Sequence, residues 1–374
     1  MDIIQKLSLL KKIREIKIKY KHKQPAVPYK LALSVTNQCN CHCQICHVWQ
    51  IYQKQPALVT REMGVLEYEK FFKKNSGNFF WIAITGGEPF LRDDFADILN
   101  VIFRNSRNLI LLSIVSNGIL TDKIGSIIKK IAANNPQNRI YIVISIDGDE
   151  KTHESLRGIK GIYAQILETI RNLELIEQKY KNIKLRLETT ISRYNLHQID
   201  DLLKSELVNK YDISFAFAQE SERYFNQGQH IALQKKNRHD LDEILRKILN
   251  RTRRYSPEYL IMRKFYQLTF DFFSNPGKQV IPCYSSWASL YLGPWGEIRP
   301  CVMMPEVVNI RDYEYDLVKI IKTKRWPVVQ NIIREDTCPH CWTPCEAMQT
   351  IIQHAPKIFF NPKIWVKKII SKVS

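Results

Sequence analysis

Nine cysteines carry the most distinctive chemistry of this 374-residue chain, and they fall in two groups. Cys39, Cys41, Cys43 and Cys46 share one short stretch, while Cys283, Cys301, Cys338, Cys341 and Cys345 lie near the C-terminus. An odd count bunched in this way reads as metal or cluster binding in a reducing compartment, not as a disulfide framework. Cys39, Cys43 and Cys46 are spaced C-x3-C-x2-C. Three thiolates from one loop can hold three irons of a [4Fe-4S] cube and leave the fourth iron open to a cofactor or substrate. A zinc ion normally takes four ligands, and His42 or His47 would supply the fourth in that case. Cys41 falls one residue out of phase and reads as a bystander or a substitute ligand.

Such a loop needs a rigid frame. Short apolar runs rich in Ile, Val and Phe recur at Leu31–Val35, Phe79–Thr85, Leu109–Ser116, Arg139–Ile146, Ile183–Thr190 and Ile213–Ala218. Their length and composition predict buried parallel strands. Amphipathic stretches such as Phe95–Phe103, Lys123–Ala132 and Ile162–Tyr180 separate them, so the chain is expected to be α/β, a partial (β/α)6 TIM-like barrel. In a parallel barrel the C-terminal strand ends form one face, which carries the chemistry. Polar or Gly-containing turns close several strands there: Thr36-Asn37, Thr85-Gly86-Gly87, Ser116-Asn117-Gly118 and Asp147-Gly148.

In sequence order these residues resemble the motifs of the radical S-adenosylmethionine (SAM) enzymes. Cys39, Cys43 and Cys46 match that family's cluster loop, with Ile45 where an aromatic residue usually packs near adenine. Gly86-Gly87-Glu88-Pro89 is similar to its GGEP motif, which implies backbone approaching the SAM amino group. Ser116-Asn117 follows the third strand. Ser145 and Asp147 resemble its SxDG motif. His153, Glu154, Arg157 and Gly158 resemble its HDxxRG segment, with Arg157 implied as a bidentate partner of the SAM carboxylate. Thr190 and Ser192 follow the fifth strand, placed to approach SAM, and Glu220 follows the sixth as the candidate catalytic, substrate-facing residue. The resemblance covers about residues 30–220. It implies an oxidoreductase or maturase that reductively cleaves SAM to a 5′-deoxyadenosyl radical and abstracts a substrate hydrogen. The electron donor implied is a small flavodoxin- or ferredoxin-type protein.

The second group resembles the SPASM/twitch auxiliary-cluster modules that follow many such domains. Five cysteines support one auxiliary [4Fe-4S] cluster rather than two. Cys283, Cys301, Cys338 and Cys341 form the preferred ligand set, and Cys345 is the alternative fourth ligand or a free thiol. Gly296-Glu297 would turn a hairpin that brings Cys301 beside Cys283. A zinc ribbon uses the same C-x2-C pairs.

Composition is globular, with 45% hydrophobic residues, and the formal net charge is +19. Residues 1–30 hold nine Lys and Arg against two acids, and residues 355–374 hold five Lys and none. Asn361-Pro362 reads as a helix start followed by a basic amphipathic tail carrying Trp365, fit for an anionic membrane surface. The N-terminal run mixes apolar and basic residues, and Ile16-Lys17-Ile18-Lys19 alternates like a strand. No nucleic-acid fold signature accompanies the charge, so nucleic acid is not expected as a partner. No apolar run reaches membrane-spanning length and no signal peptide is recognisable, so a cytoplasmic place is expected, extending to the inner membrane face.

The expected layout is a basic segment over 1–29, the barrel over 30–230, a helical linker over 231–280, a small cysteine-rich α+β auxiliary-cluster domain over 281–354, and the tail over 355–374. Three substrate classes fit the enzyme: a peptide, a sugar or other small molecule, and a lipid-linked compound. The 38 residues before Cys39 are fewer than a leader-peptide-binding domain needs. The contrasting reading is a non-enzymatic zinc-binding adaptor of nucleic acid or membrane. It accounts for the charge and the cysteines but not for Gly86–Pro89 or Ser145–Arg157.

Overall fold

The computed structural model describes residues 3–233, 237–251, 257–275 and 277–359. The amphipathic tail expected from Asn361 lies outside the described residues. Nine strands form one sheet: β1 (Lys30–Ser34), β2 (Trp81–Thr85), β3 (Leu111–Ser116), β4 (Arg139–Ser145), β5 (Ile183–Ile191), β6 (Ile213–Phe217), β7 (Ser289–Leu292), β8 (Glu297–Arg299) and β9 (Val308–Asn309). Their spatial order is β6-β5-β4-β3-β2-β1-β7-β8-β9. The helices are α1 (Ile3–Lys21), α2 (Gln50–Lys54), α3 (Val65–Lys74), α4 (Phe95–Asn105), α5 (Thr121–Asn134), α6 (Glu150–Arg157), α7 (Ile162–Lys179), α8 (Ile199–Lys204), α9 (Glu206–Lys210), α10 (Arg238–Arg251), α11 (Pro257–Ser274), α12 (Leu317–Ile321), α13 (Arg325–Arg334) and α14 (Pro344–Phe359).

β1 to β6 are the six expected strands, paired in parallel in sequence order, as a partial TIM-like barrel requires. A seventh parallel strand extends the expected sheet. β7 pairs with β1 (Lys30 opposite Ser289), and β8 and β9 continue antiparallel. The sheet therefore runs on past residue 281, where the sequence suggested a new domain. β7 is only four residues long, too short for its apolar signal to stand out. The alternation of Ile16–Lys19 also misled. These residues belong to α1, whose inner side packs on the protein.

The strands are not uniformly apolar. On β5, Ile183, Leu185, Leu187 and Ile191 are buried, and the first three share a core with Ile162, Ile166, Ile170 and Leu173 of α7. Burying each such side chain contributes roughly 1.5–3 kcal/mol. Lys184, Arg186, Glu188 and Thr190 alternate with them on the other face of the strand and are half-buried. There Arg186 pairs with Glu258 of α11 at 2.6 Å and lies over the Tyr141 ring of β4. This face of the strand therefore carries polar side chains packed on one another.

Candidate active site and cysteine groups

The cysteine loop leaves β1 at Thr36 and is strapped on three sides. Gly87 and Glu88 donate backbone N–H bonds to the Thr36 and Gln38 carbonyls, both 2.7 Å. His42 and Gln44 donate to the Arg157 and Leu156 carbonyls at the end of α6 (2.8 and 2.9 Å). His47 donates to the Tyr224 carbonyl at 2.9 Å. Two glycines make this approach possible. A Cβ on Gly87 would overlap the Gln38 carbonyl. Gly158 ends α6 in the left-handed conformation (φ 70°), and a Cβ there would press on the His42 backbone. The Gly86–Gly87 pair therefore accommodates the protein's own loop, where the sequence suggested room for a ligand.

Beneath this crossing lies a cavity of about 140 Å³. It is lined by Cys39, Cys41, Cys43 and Cys46 together with Gly86, Gly87, Ser116, Asn117, Ser145 and Arg157. The cavity sits at the C-terminal ends of β2, β3 and β4. A hydrogen bond from the Cys41 thiol, with help from Arg157, draws the Cys43 thiol down to about 7. Burial pushes Cys46 up to about 12.

The remaining expected residues lie behind or beside the cavity. Glu88 is fully buried and accepts from Phe90 N (3.2 Å), Ser116 Oγ (3.0 Å) and Asn117 N (2.7 Å). It fixes the Ser116-Asn117 turn from below. Pro89 starts the short turn that follows. Asp147 is fully buried and holds Arg157, with Nε and Nη2 at 2.8 and 2.7 Å from one oxygen. This revises the expected role of Arg157, because two of its nitrogens are committed to Asp147. Its Nη1 faces the Cys43 sulfur at 3.9 Å. Burial opposes the charge of Arg157, but Asp147 and the neighbouring thiols hold its pKa above the ordinary value.

Three expectations fall away from the cavity. Ser192 is buried with its N–H and hydroxyl turned to Asn195 Oδ1 (2.8 and 3.1 Å). The Glu220 carboxylate accepts from Gly228 N at 2.9 Å, within its own loop. Ile45 does not line the cavity; its carbonyl accepts from Asn226 Nδ2 at 2.8 Å. Thr190 lies on the same face of β5 as Glu188, its N–H donating to Asp147 Oδ1 at 3.1 Å. An aromatic wall does exist, supplied by Trp49, which lines the cavity beside Val48.

Residues 33–174 match the family model described as Radical SAM superfamily. Over these residues the chain is similar to the radical SAM superfamily. AlbA of Bacillus subtilis (strain 168), the antilisterial bacteriocin subtilosin biosynthesis protein, is 24% identical over 78% of this chain and 58% of its own. Pre-heme d1 synthase of Dinoroseobacter shibae is 32% identical over 48% of this chain and 42% of its own. The chain thus spans about half the length of these curated relatives. The solved structure of native anSMEcpe with bound AdoMet shares the fold, with TM-score 0.54 and 17% identity over 89% of this chain and 98% of that one.

Similarity to the radical SAM superfamily over residues 33–174 implies a [4Fe-4S] cluster and SAM. The residues present fit both. Among the described residues, no three metal-binding side chains converge as on a single ion. A cube binds each thiolate at a separate iron, so it suits thiols spread along one cavity wall. On the cofactor side, the Trp49 indole N–H is buried and has no partner among the described residues, which leaves a donor at the wall.

The C-terminal cysteines separate into four and one. Cys283 and Cys341 lie within electrostatic reach of each other and of both Cys301 and Cys338. Gln279 bridges two of them, with Oε1 accepting from Cys283 N (2.9 Å) and Nε2 facing the Cys338 sulfur (3.7 Å). Ser285 N also points at the Cys283 sulfur (3.4 Å). Burial raises the thiols of Cys283, to about 12, and of Cys301 and Cys341. Cys345 faces elsewhere. Its charged neighbours are Lys30, Glu346 and Glu188, on the barrel side.

Sequence reasoning missed the residues that brace the loop. Glu62 accepts from Thr36 Oγ1 (2.8 Å), Asn37 N (2.9 Å) and Tyr52 Oη (2.5 Å), and it pairs with Arg92 at 3.2 Å. Arg92 in turn donates to the Val35 carbonyl at 2.8 Å. Arg223 is buried, bonds Tyr291 and Ser34 Oγ, and lies within electrostatic reach of Cys46. No local pattern marks these side chains. Glu188, beside Ser145 in register, could have been found from the alternation in Ile-Lys-Leu-Arg-Leu-Glu-Thr-Thr-Ile.

Proposed function

We propose that this protein is a radical SAM enzyme that oxidises or otherwise modifies a peptide, using one auxiliary [4Fe-4S] cluster besides the one that binds SAM. The carrying observation is the cavity at the strand ends, which Cys39, Cys43 and Cys46 line together with Gly86, Gly87, Ser116, Asn117, Ser145 and Arg157. In this reading the three thiolates hold the first cluster and leave one iron open. Gly87 and Glu88 hold the loop that presents them, Ser116, Asn117 and Ser145 offer polar atoms to SAM, and Trp49 supplies the apolar wall. Arg157, anchored by Asp147, places a cation beside the thiolates. When bound, the cluster and SAM supply an electron and a carbon radical able to take hydrogen from an unactivated C–H bond. The half-enclosed barrel keeps such chemistry from water.

Cys283, Cys301, Cys338 and Cys341 would hold the auxiliary cluster. Gln279 and Ser285 are placed to bond its sulfurs, a contact that tunes potential. The peptide class rests on AlbA, whose similarity reaches past the barrel into the C-terminal part, whereas that of pre-heme d1 synthase covers about half of this chain. A flavodoxin- or ferredoxin-type protein is the electron donor in this reading.

The test is anaerobic reconstitution of the full chain. About eight iron and eight sulfide per chain are expected for two cubes, with SAM cleavage to 5′-deoxyadenosine on reduction. Cys43→Ala should abolish cleavage and lose about half of the iron. Zinc in place of iron, or undiminished cleavage by Cys43→Ala, defeats the enzyme reading. Peptides encoded beside this gene, incubated with enzyme and SAM, should show a SAM-dependent mass change. Turnover of a tetrapyrrole instead would replace the peptide class while leaving the rest intact.

A further inference from the structure

α1 carries apolar side chains on two opposite faces. Leu9, Ile13, Ile16 and Tyr20 pack against Tyr29, Phe80, Ile110, Tyr284 and Trp287. This inner face accounts for why the helix docks. The outer face presents Ile4, Leu7, Leu10 and Ile18, which are 49–73% exposed. Among the described residues nine large apolar side chains are exposed, and four of them sit on this one helix. Scattered single apolar residues on a surface need no explanation, but a concentration of this kind does.

The charge on α1 is one-sided. Lys6, Lys11, Arg14 and Lys21 are exposed among the four aliphatic side chains. The only acid in the helix, Glu15, is taken up by Lys12 and Lys19 at 3.2 and 2.8 Å. The outer face is therefore aliphatic and cationic, with the one acid at its edge already paired. Nucleic acid would use the cations but leave the aliphatic residues without a role. A second copy of this chain, with its +19 net charge, would bring like charges together.

Position adds a further constraint. Tyr29, Phe80, Ile110 and Trp287 lie at or just before the starts of β1, β2, β3 and β7. α1 thus crosses the N-terminal ends of the strands, on the far side of the barrel from the cavity. The Tyr20 ring stacks on Tyr284 at 4.1 Å, and Tyr284 meets His354 of α14 at 5.3 Å. The two helices from which the basic ends of the sequence extend are therefore joined at one side.

We propose that α1 docks this enzyme on an anionic lipid bilayer, with Ile4, Leu7, Leu10 and Ile18 in the interfacial layer and the Lys and Arg side chains at headgroup phosphates. The active-site mouth then faces away from the bilayer, so the surface sets where the enzyme works and not what it modifies. This inference is independent of the substrate assignment.

Sedimentation of the full chain with vesicles tests it. Vesicles of phosphatidylcholine and phosphatidylserine at about 7:3 should bind the protein, and phosphatidylcholine alone should not. Added salt should weaken the binding. The double variant Leu7→Glu, Leu10→Glu should bind at least tenfold more weakly while cleaving SAM at the wild-type rate. A chain ending at Phe359 should retain part of the binding. The proposal fails if the double variant binds as the wild type does, if the two lipid mixtures bind equally, or if neither binds. It also fails if the double variant instead dissociates a dimer in solution, which would assign the face to a second copy.

Discussion

Glu88 has both carboxylate oxygens committed to three donors that shape the Ser116-Asn117 turn. Burial lifts its pKa to about 7, although the hydrogen bonds pull the other way. Glu88→Ala leaves Phe90 N, Ser116 Oγ and Asn117 N unpaired in a dry interior and should cost about 2–4 kcal/mol. Calorimetry should show a clearly lower Tm, and an unchanged Tm would mean that water replaces the carboxylate. His153 offers a pH test. It is fully buried with Nδ1 accepting from Asp147 N, and burial, then Arg157, lowers its pKa to about 4. Between its unfolded value near 6.5 and pH 4, the unfolded chain binds a proton that the folded chain refuses. Stability therefore falls as pH falls through that window, by about 3 kcal/mol in full. His153→Gln removes this contribution, so its Tm should drop less than that of the wild type between pH 7 and pH 5.

At the scale of elements, the candidate site is a crossing of the β1 and β2 loops. Gly87→Ala drives a methyl group into the Gln38 backbone, which cannot swing aside as a side chain can. The variant should keep its helical circular dichroism but lose about four iron, the share of one cube. Full iron content would show that the loop yields. The C-terminal group divides at the start of α14. Cys341 stands in the loop before the helix with the other three thiols, while Cys345, within the first turn, looks towards Lys30 and Glu188. Cys341→Ala should lose about four iron. Cys345→Ala should lose none, and an equal loss from both would return Cys345 to the ligand set.

Across the whole molecule, one sheet joins the two cysteine groups, because β7 closes against β1 and carries the hairpin that precedes Cys301. The groups therefore share one sheet as their frame. The mouth lies at the C-terminal strand ends and α1 at the N-terminal ends, so binding at one end leaves the other open. Vesicles that capture the protein through α1 should not slow 5′-deoxyadenosine formation. Inhibition in step with binding would place the mouth against the lipid.

The sequence by itself determined the parallel frame and which cysteines share one loop. Thiol spacing within one loop is local, and strands of Ile and Val separated by amphipathic helices have few alternative packings, so Cys39–Cys46, Gly86–Pro89 and β1 to β6 were legible. Contacts between residues far apart in the chain were not. Only the folded chain decided that Arg157 is spoken for by Asp147, that Glu62 and Arg92 brace the loop, and that Ser192 and Glu220 turn away. The same holds for α1, whose Ile-Lys alternation reads as a strand in isolation. Docking Ile16 beneath the barrel makes it a helix and leaves its other apolar face outside, because tertiary burial outweighs local pattern when the two compete.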